Sequence, residues 1–540
     1  MLFFFLSFTI LLSLSRGQSI VVPSTSTLLL NASQPQLSLT VPAMDAPVHM
    51  VFSICQLSKN TSITPTALVA VGDRPSFLPT AKLTRDGYSG GVSVTAGGLG
   101  YNKRAIKDSS TWLLQWSYGF ANWTANSTES DIFILLGLNV DSQGNSVTLD
   151  IPSGNVVVQL AISQDPIYSL SAAYPTLGDT TSSSALIFSP LLYSSPQTQP
   201  SYPNYTLPGA QLVIPSASSL MSESLNSSLT TDLSLILIPT NSSPTSLGLD
   251  NSVCAINAAL NQSSISGVNN TIYQSSEPEW MAIEGREGFR KTWVLEGLQS
   301  GTNYTAWLKD GRGVLSRPAW LVTKQEGFAC QLVMPSSICP GIGYAAPLPA
   351  NYTTTATTAG QTYNVSLIRS LPDNLATVIT NNLDAFSTSL LSKACGRDLY
   401  SHVSSCLDCY NAYRDWLCRM VIPQCGVSDS PSANITSTVT GSSISTIFPS
   451  PSTIHRTSSN PRNPSLPAPS YDYDELLPCM STCNKADRTC PVWLGVRCPK
   501  RKVNAAKSYA FVGDDHSFGD GSEDQGVIAA DRWGRRWCNG

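Results

Sequence analysis

Cys406-Leu-Asp-Cys409-Tyr-Asn-Ala-Tyr413-Arg-Asp-Trp416-Leu-Cys418-Arg-Met420-Val-Ile-Pro423-Gln-Cys425 is the stretch on which the architecture turns. Apolar or Cys residues at 406, 409, 410, 413, 416, 417 and 420 follow helical spacing, so one face is expected to be buried. Pro423 ends that helix. Upstream, Leu375 to Leu391 reads as a second helix. Downstream, residues 479 to 490 suit a short one carrying Cys479 and Cys483 on one face. The chain holds 14 cysteines, and only Cys55 and Cys254 fall in its first 325 residues. The rest are Cys330, Cys339, Cys395, Cys406, Cys409, Cys418, Cys425, Cys479, Cys483, Cys490, Cys498 and Cys538. That asymmetry predicts two kinds of architecture, the second a helical, disulfide-rich module.

The N-terminus indicates the compartment. Leu2 to Leu14 is nearly all apolar, and Ser15-Arg16-Gly17 places small residues where a signal peptidase needs them. Residues 1–17 are therefore expected to be a signal peptide. An uncleaved anchor is the competing reading, but the run is short for a span needing about 20 residues. Thirteen Asn-x-Ser/Thr sequons follow: Asn31, Asn60, Asn122, Asn126, Asn204, Asn226, Asn241, Asn261, Asn269, Asn303, Asn351, Asn364 and Asn434. Charged residues make up only 13%, about half the usual share, and glycans would supply the missing solubility. Behind a signal sequence, disulfides explain the cysteines better than zinc or a redox Cys406-x2-Cys409 pair. Their connectivity does not follow from the sequence. Cys55 and Cys254 can pair, clamping two β domains, or can each be a buried thiol or pair elsewhere. A net charge of −4 with no basic stripe argues against nucleic acid.

Short apolar runs between Gly, Ser, Asn and Pro clusters predict an all-β, sandwich-like N-terminal region. Ile132 to Leu136, Val147 to Ile151, Val156 to Ile162 and Leu233 to Pro239 are such runs, with Asp141-Ser-Gln-Gly-Asn145 a loop signal. The expected domains are a sandwich over 18–170, a Ser/Thr/Pro-punctuated linker over 171–205, a second sandwich over 206–325 and a cysteine-rich domain over 326–540. Trp293-Val-Leu-Glu-Gly-Leu298 followed by Asn303-Tyr304-Thr-Ala-Trp307-Leu308 is similar to the tyrosine corner of fibronectin-type sandwiches. A plain strand pair with an inward Tyr is the alternative. Residues 426–470, rich in Ser, Thr and Pro, are expected to be a disordered insert.

Three blocks carry a family resemblance. They are Cys330-x8-Cys339 with Gly343-Tyr344-Ala345-x-Pro347; Cys406-x2-Cys409-x3-Tyr413-x2-Trp416-Leu-Cys418 with Ile422-Pro-x-Cys425; and Cys479-x3-Cys483-x6-Cys490-Pro-x3-Gly495-x2-Cys498-Pro with Ser508-Tyr509. Together with the order of signal, glycosylated β-rich region and cysteine-rich end, they resemble the fungal stretch-activated calcium-permeable channel component, the Mid-type regulatory subunit of the high-affinity calcium influx system. The resemblance implies a frizzled-like cysteine-rich domain. It also implies an accessory subunit of a plasma-membrane calcium channel, held at the membrane by a pore-forming four-repeat α-subunit and supporting calcium influx under stress or stretch. The expected location is the secretory pathway, including the endoplasmic reticulum, and the extracellular face of the plasma membrane.

Other chemistries find less support. None of His49, His402, His455 and His516 sits in a recognisable triad or metal motif, so no enzyme, cofactor or metal site is expected. Asp520-x-Ser522-x-Asp524 begins like a calcium loop but has Gln525 and Asp531 where an EF-hand needs Gly and Glu. Trp533 and Trp537 beside Arg532, Arg535 and Arg536 read either as a partner patch or as a stripe packed on the disulfide core. The runner-up for the whole chain is a secreted cell-wall or adhesion glycoprotein that binds glycans.

Overall fold

Strand Val156–Ser163 buries every second side chain, Val156, Val158, Leu160 and Ile162, and turns Val157, Gln159, Ala161 and Ser163 outward. That is the pleat's period of two, applied to a sheet with one covered face. The computed structural model describes residues 18–20, 22–57, 65–71, 91–93, 102–104, 110–126, 128, 130–138, 155–165, 175–194, 206–212, 233–266, 273–275, 279–283, 288–311, 313–348, 355–358, 361–364, 367–392, 395, 401, 403–427, 453–457, 459–460, 462–463, 469, 471–500, 505, 508–510 and 536–540. The chain divides into two compact units. The first takes residues 1–174, 236–274 and 307–318; the second takes 175–235, 275–306 and 319–540.

In the first unit, a four-stranded sheet runs in the order Ser24–Leu30, Val156–Ser163, Val48–Gln56, Phe120–Ala125. A five-stranded sheet runs Gln18–Ser19, Gln36–Val41, Ile132–Gly137, Thr66–Val71, Ser110–Leu114. The inward residues of both sheets form one core, with Leu28, Met50, Phe52, Val158 and Leu160 meeting Leu39, Val41, Val69, Ile132 and Ile134. Two sheets sharing a core in this way form a sandwich. The sequence run at Val147 to Ile151 and the loop at 141–145 lie outside the described residues, as do residues 1–17.

The region expected to be all-β contains a helix, Val253–Ser266, packed on strand Val48–Gln56. Ser252 starts it: its hydroxyl accepts from Ala255 N at 3.1 Å and donates to Ile54 O at 2.8 Å. Its second residue, Cys254, is disulfide-bonded to Cys55, and both belong to the first unit. The helix's inner side joins Ile236, Ile238, Ile256, Trp307 and Leu315 in a small core. Trp307 Nε1 donates to Asp250 O at 2.8 Å just before the helix begins.

In the second unit, strand Gly288–Leu295 pairs antiparallel with Ala185–Phe188, Tyr193–Ser194 and Glu279–Ile283, and Thr176–Thr180 extends the sheet beyond Ala185–Phe188. Tyr304 is fully buried, and its hydroxyl accepts from Gln299 N at 2.9 Å, five residues upstream, while Asn303 faces solvent. This is the bond that defines a tyrosine corner. Tyr304→Phe is expected to cost about 1 kcal/mol, the usual net worth of such a bond, read as a lower denaturation midpoint. An unchanged midpoint would mean that the hydroxyl is idle.

The cysteine-rich part of this unit is mixed rather than wholly helical. Helices Asp373–Leu391, Cys406–Val421 and Met480–Thr489 are joined by short strands. Gln331–Val333 pairs with Tyr344–Ala346 and Leu367–Ile368, and Tyr473–Leu476 pairs with Gln424–Cys425 and Thr453–Arg456. Thr453–Arg456 lies inside the stretch expected to be disordered. It is a strand because Ile454 and Arg456 have partners on Tyr473–Leu476 that composition alone does not reveal. Residues 428–452 of that stretch lie outside the described residues.

Candidate functional site

Helix Cys406–Val421 organises the cysteine-rich module. Ser405 caps it in a reciprocal box: its hydroxyl accepts from Asp408 N at 3.2 Å, and Asp408 Oδ2 accepts from Ser405 N at 2.8 Å. Ser405→Ala is expected to cost about 1 kcal/mol. A melting curve unchanged by that substitution would count against the cap's contribution.

Three positions of the helix are covalently tied to other parts of the module. Cys406 bonds Cys395, Cys409 bonds Cys490 and Cys418 bonds Cys339. Cys330–Cys425, Cys479–Cys538 and Cys483–Cys498 complete the set, and no cysteine is free. Cys406 and Cys409 thus go to different partners, which is neither a redox pair nor a zinc knuckle. Among the described residues there is no group of three or more His, Cys, Asp or Glu placed to hold a metal ion.

The three sequence blocks meet around this helix. Tyr344 of the first block is fully buried and donates from its hydroxyl to Ile422 O of the second at 2.6 Å. Burial pushes its phenol up to about 12 against the opposing pull of the Arg419 charge. Gly343 and Gly178 pack closely on Phe188: a Cβ on either would come within 2.7 Å of its ring. Trp416 Nε1 donates to Tyr509 of the third block at 2.8 Å. Phe386 stacks on Tyr413 with centroids 3.7 Å apart, and Tyr413 leans on Trp416 at 5.5 Å. Phe386, Tyr413 and Trp416 are half-buried, while Ala412, Arg414 and Cys418 are buried, so the predicted face is correct in outline but wraps further round the helix than the spacing indicated.

Buried charge is the feature that the sequence reading missed. Arg414 is 1% exposed; its Nη2 donates to Gly209 O at 2.6 Å and to the Tyr410 hydroxyl at 2.8 Å. Asp179 accepts from Lys324 Nζ at 2.9 Å, Thr180 N at 2.8 Å, Ala345 N at 3.0 Å and Gln424 Nε2 at 2.9 Å. Burial alone would raise its carboxyl, but Lys324, the Ala345 amide and Arg536 together hold it below the ordinary value. Glu475, with no exposed surface, accepts from Arg456 Nε at 2.7 Å and pairs with Arg462 Nη1. Arg419 bridges Asp415 at 2.8 Å and Asn539 Oδ1 at 2.9 Å. These contacts tie strands, the central helix and the chain's last residues into a preorganised scaffold.

Arg536 is half-buried and donates to Leu177 O at 3.1 Å, so it packs inward instead of joining a patch. Arg532, Trp533, Arg535, His402, His516 and the acidic stretch Asp514–Asp531 lie outside the described residues. His49 sits in strand Val48–Gln56, and His455 contacts Asp474 Oδ1 at 2.9 Å from strand Thr453–Arg456. Asn126, Asn241, Asn261 and Asn303 are exposed, and Asn31 and Asn122 are half-buried. Asn364 sits in strand Gln361–Asn364, while Asn60, Asn204, Asn226, Asn269, Asn351 and Asn434 lie outside the described residues.

A family model described as a stretch-activated Ca2+-permeable channel component matches residues 95–522. The stretch-activated cation channel MID1 of Cryptococcus neoformans var. grubii is 59% identical over 95% of this chain and 82% of its own length. The stretch-activated cation channel MID1 of Saccharomyces cerevisiae is 29% identical over 38% of this chain and 34% of its own. The stretch-activated cation channel yam8 of Schizosaccharomyces pombe is 26% identical over 45% of each chain.

Proposed function

Because this chain belongs to the family of stretch-activated Ca2+-permeable channel components, we propose that it is an extracellular accessory subunit of a plasma-membrane calcium channel. Its cysteine-rich module docks on a pore-forming four-repeat α-subunit and supports calcium influx under stress or stretch. The observation that carries this reading is the module itself: six disulfides and three buried charge clusters hold a surface in one shape. Preorganised surfaces bind with less ordering cost. Seven disulfides in all fit an oxidising compartment. Exposed sequon asparagines at 126, 241, 261 and 303 fit a glycosylated ectodomain. No helix among the described residues is long and apolar enough to cross a membrane, which is compatible with a pore supplied by another chain.

The test is calcium uptake in cells that lack this chain but keep the α-subunit. Uptake under stress is expected to fall and to return when the full chain is restored. Undiminished uptake without the chain would contradict the accessory role.

A further inference from the structure

Beyond docking on a channel, we infer that the segment 480–500 contacts an anionic phospholipid bilayer directly, with Val492 and Trp493 entering the interface and Lys485, Arg488, Arg497 and Lys500 facing the headgroups. Helix Met480–Thr489 buries Met480, Thr482, Cys483 and Ala486 and leaves Ser481, Lys485 and Arg488 on its exposed face. The turn Val492–Leu494 follows at once, closed by Gly495 at φ +70°. Its inner side is anchored: Leu494 and Val496 pack against the module's core, and Cys490 is bonded to Cys409. Its outer side is apolar and open, with Val492 76% and Trp493 45% exposed. The Cys483–Cys498 disulfide ties the end of the segment back to the helix, and Arg497 and Lys500 on that returning stretch are exposed, as Lys485 and Arg488 are on the helix.

Two properties select the occupant. The segment carries four cations against one carboxylate, the half-buried Asp487, in a chain whose net charge is −4. The exposed apolar pair, Val492 and Trp493, sits on a tight turn at the tip of that basic segment. An indole beside an aliphatic tip with cations around it suits the bilayer interface, where Trp is favoured and Lys or Arg meets anionic headgroups. The disulfides hold the tip in place, so contact requires little ordering.

The test is sedimentation of the purified full chain with mixed phosphatidylcholine–phosphatidylserine vesicles and with pure phosphatidylcholine vesicles, at low and high salt. It needs no channel subunit, so it is independent of the accessory role. Because the whole chain is acidic, binding to anionic vesicles would have to come from a local patch. Binding is expected to the anionic vesicles and to weaken with salt. Arg497→Ala with Lys500→Ala should lower the partition coefficient about 30-fold, at about 1 kcal/mol per charge. Trp493→Ala should lower it about tenfold. All three side chains are exposed, and a non-reducing gel with circular dichroism checks that each variant folds. No binding to anionic vesicles, or equal binding by wild type and both variants, would overturn the inference. So would variants that ignore vesicles as the wild type does yet lose an acidic protein partner, since the patch would then serve that partner.

Discussion

Replacing Asp179 by Ala is expected to destabilise the second unit by about 3–5 kcal/mol, because removing one partner of a buried ion pair leaves the other charge uncompensated. Asp179 sits on strand Thr176–Thr180, and three of its partners lie far along the chain, on Lys324, Ala345 and Gln424. Truncation would strand the Lys324 ammonium, which is 12% exposed, together with a buried amide and the Gln424 side chain. Chemical denaturation of the intact chain measures the effect, and a shift under about 1 kcal/mol, the range of exposed pairs, would contradict it. The same carboxylate gives a pH signature. Its folded value lies below the ordinary 3.8, so its contribution is complete above that value. It is lost as pH falls from there through the depressed folded value. Wild type should therefore lose stability faster than Asp179→Asn in that acid window, and parallel curves would show that Asp179 is not the group responsible.

The second large effect belongs to the Cys339–Cys418 disulfide. Cys418 is fully buried on the central helix, and Cys339 lies in the core cluster that the helix packs against. Cys418→Ser should cost about 2–5 kcal/mol, the range for a native disulfide in an extracellular domain, and should remove the module's support for calcium entry. The double variant Cys339→Ser with Cys418→Ser separates loss of the bond from the reactive thiol left by the single change. Normal calcium influx in both, with the chain at normal surface levels, would count against the module's role.

Helix Cys406–Val421 was legible because its cysteines and aromatics recur at helical spacing before a Pro. The strands Ile132–Gly137 and Val156–Ser163 were legible from their apolar runs. Helix Val253–Ser266 was missed because it stands among strand-like runs. Its signals were Ser252 as a cap and the Ala-rich Ala255-Ile-Asn-Ala-Ala-Leu260, good helix formers that a reading by region overlooked. Arg414 was not among the positions expected to be buried, since an arginine rarely is, yet Tyr410 and Gly209 O satisfy it inside. The Asp179 cluster had no local signal, because its partners are 145, 166 and 245 residues away and nothing near Asp179 marks it as buried. Strand Thr453–Arg456 was hidden by Ser and Pro on both sides, and its pairing depends on Tyr473–Leu476 downstream. The disulfide partners were likewise set by packing, which spacing does not encode.

The proposed role makes this chain a channel's partner through its cysteine-rich module. The most direct measurement is a detergent pull-down of the tagged full chain from its native membranes, with co-purifying proteins identified by mass spectrometry. It should be run beside the Cys339→Ser, Cys418→Ser double variant. A four-repeat channel α-subunit is expected to come down with the wild type and to be lost from the variant. Recovery of the chain alone, or with wall polysaccharide, would contradict it and favour an adhesion glycoprotein instead.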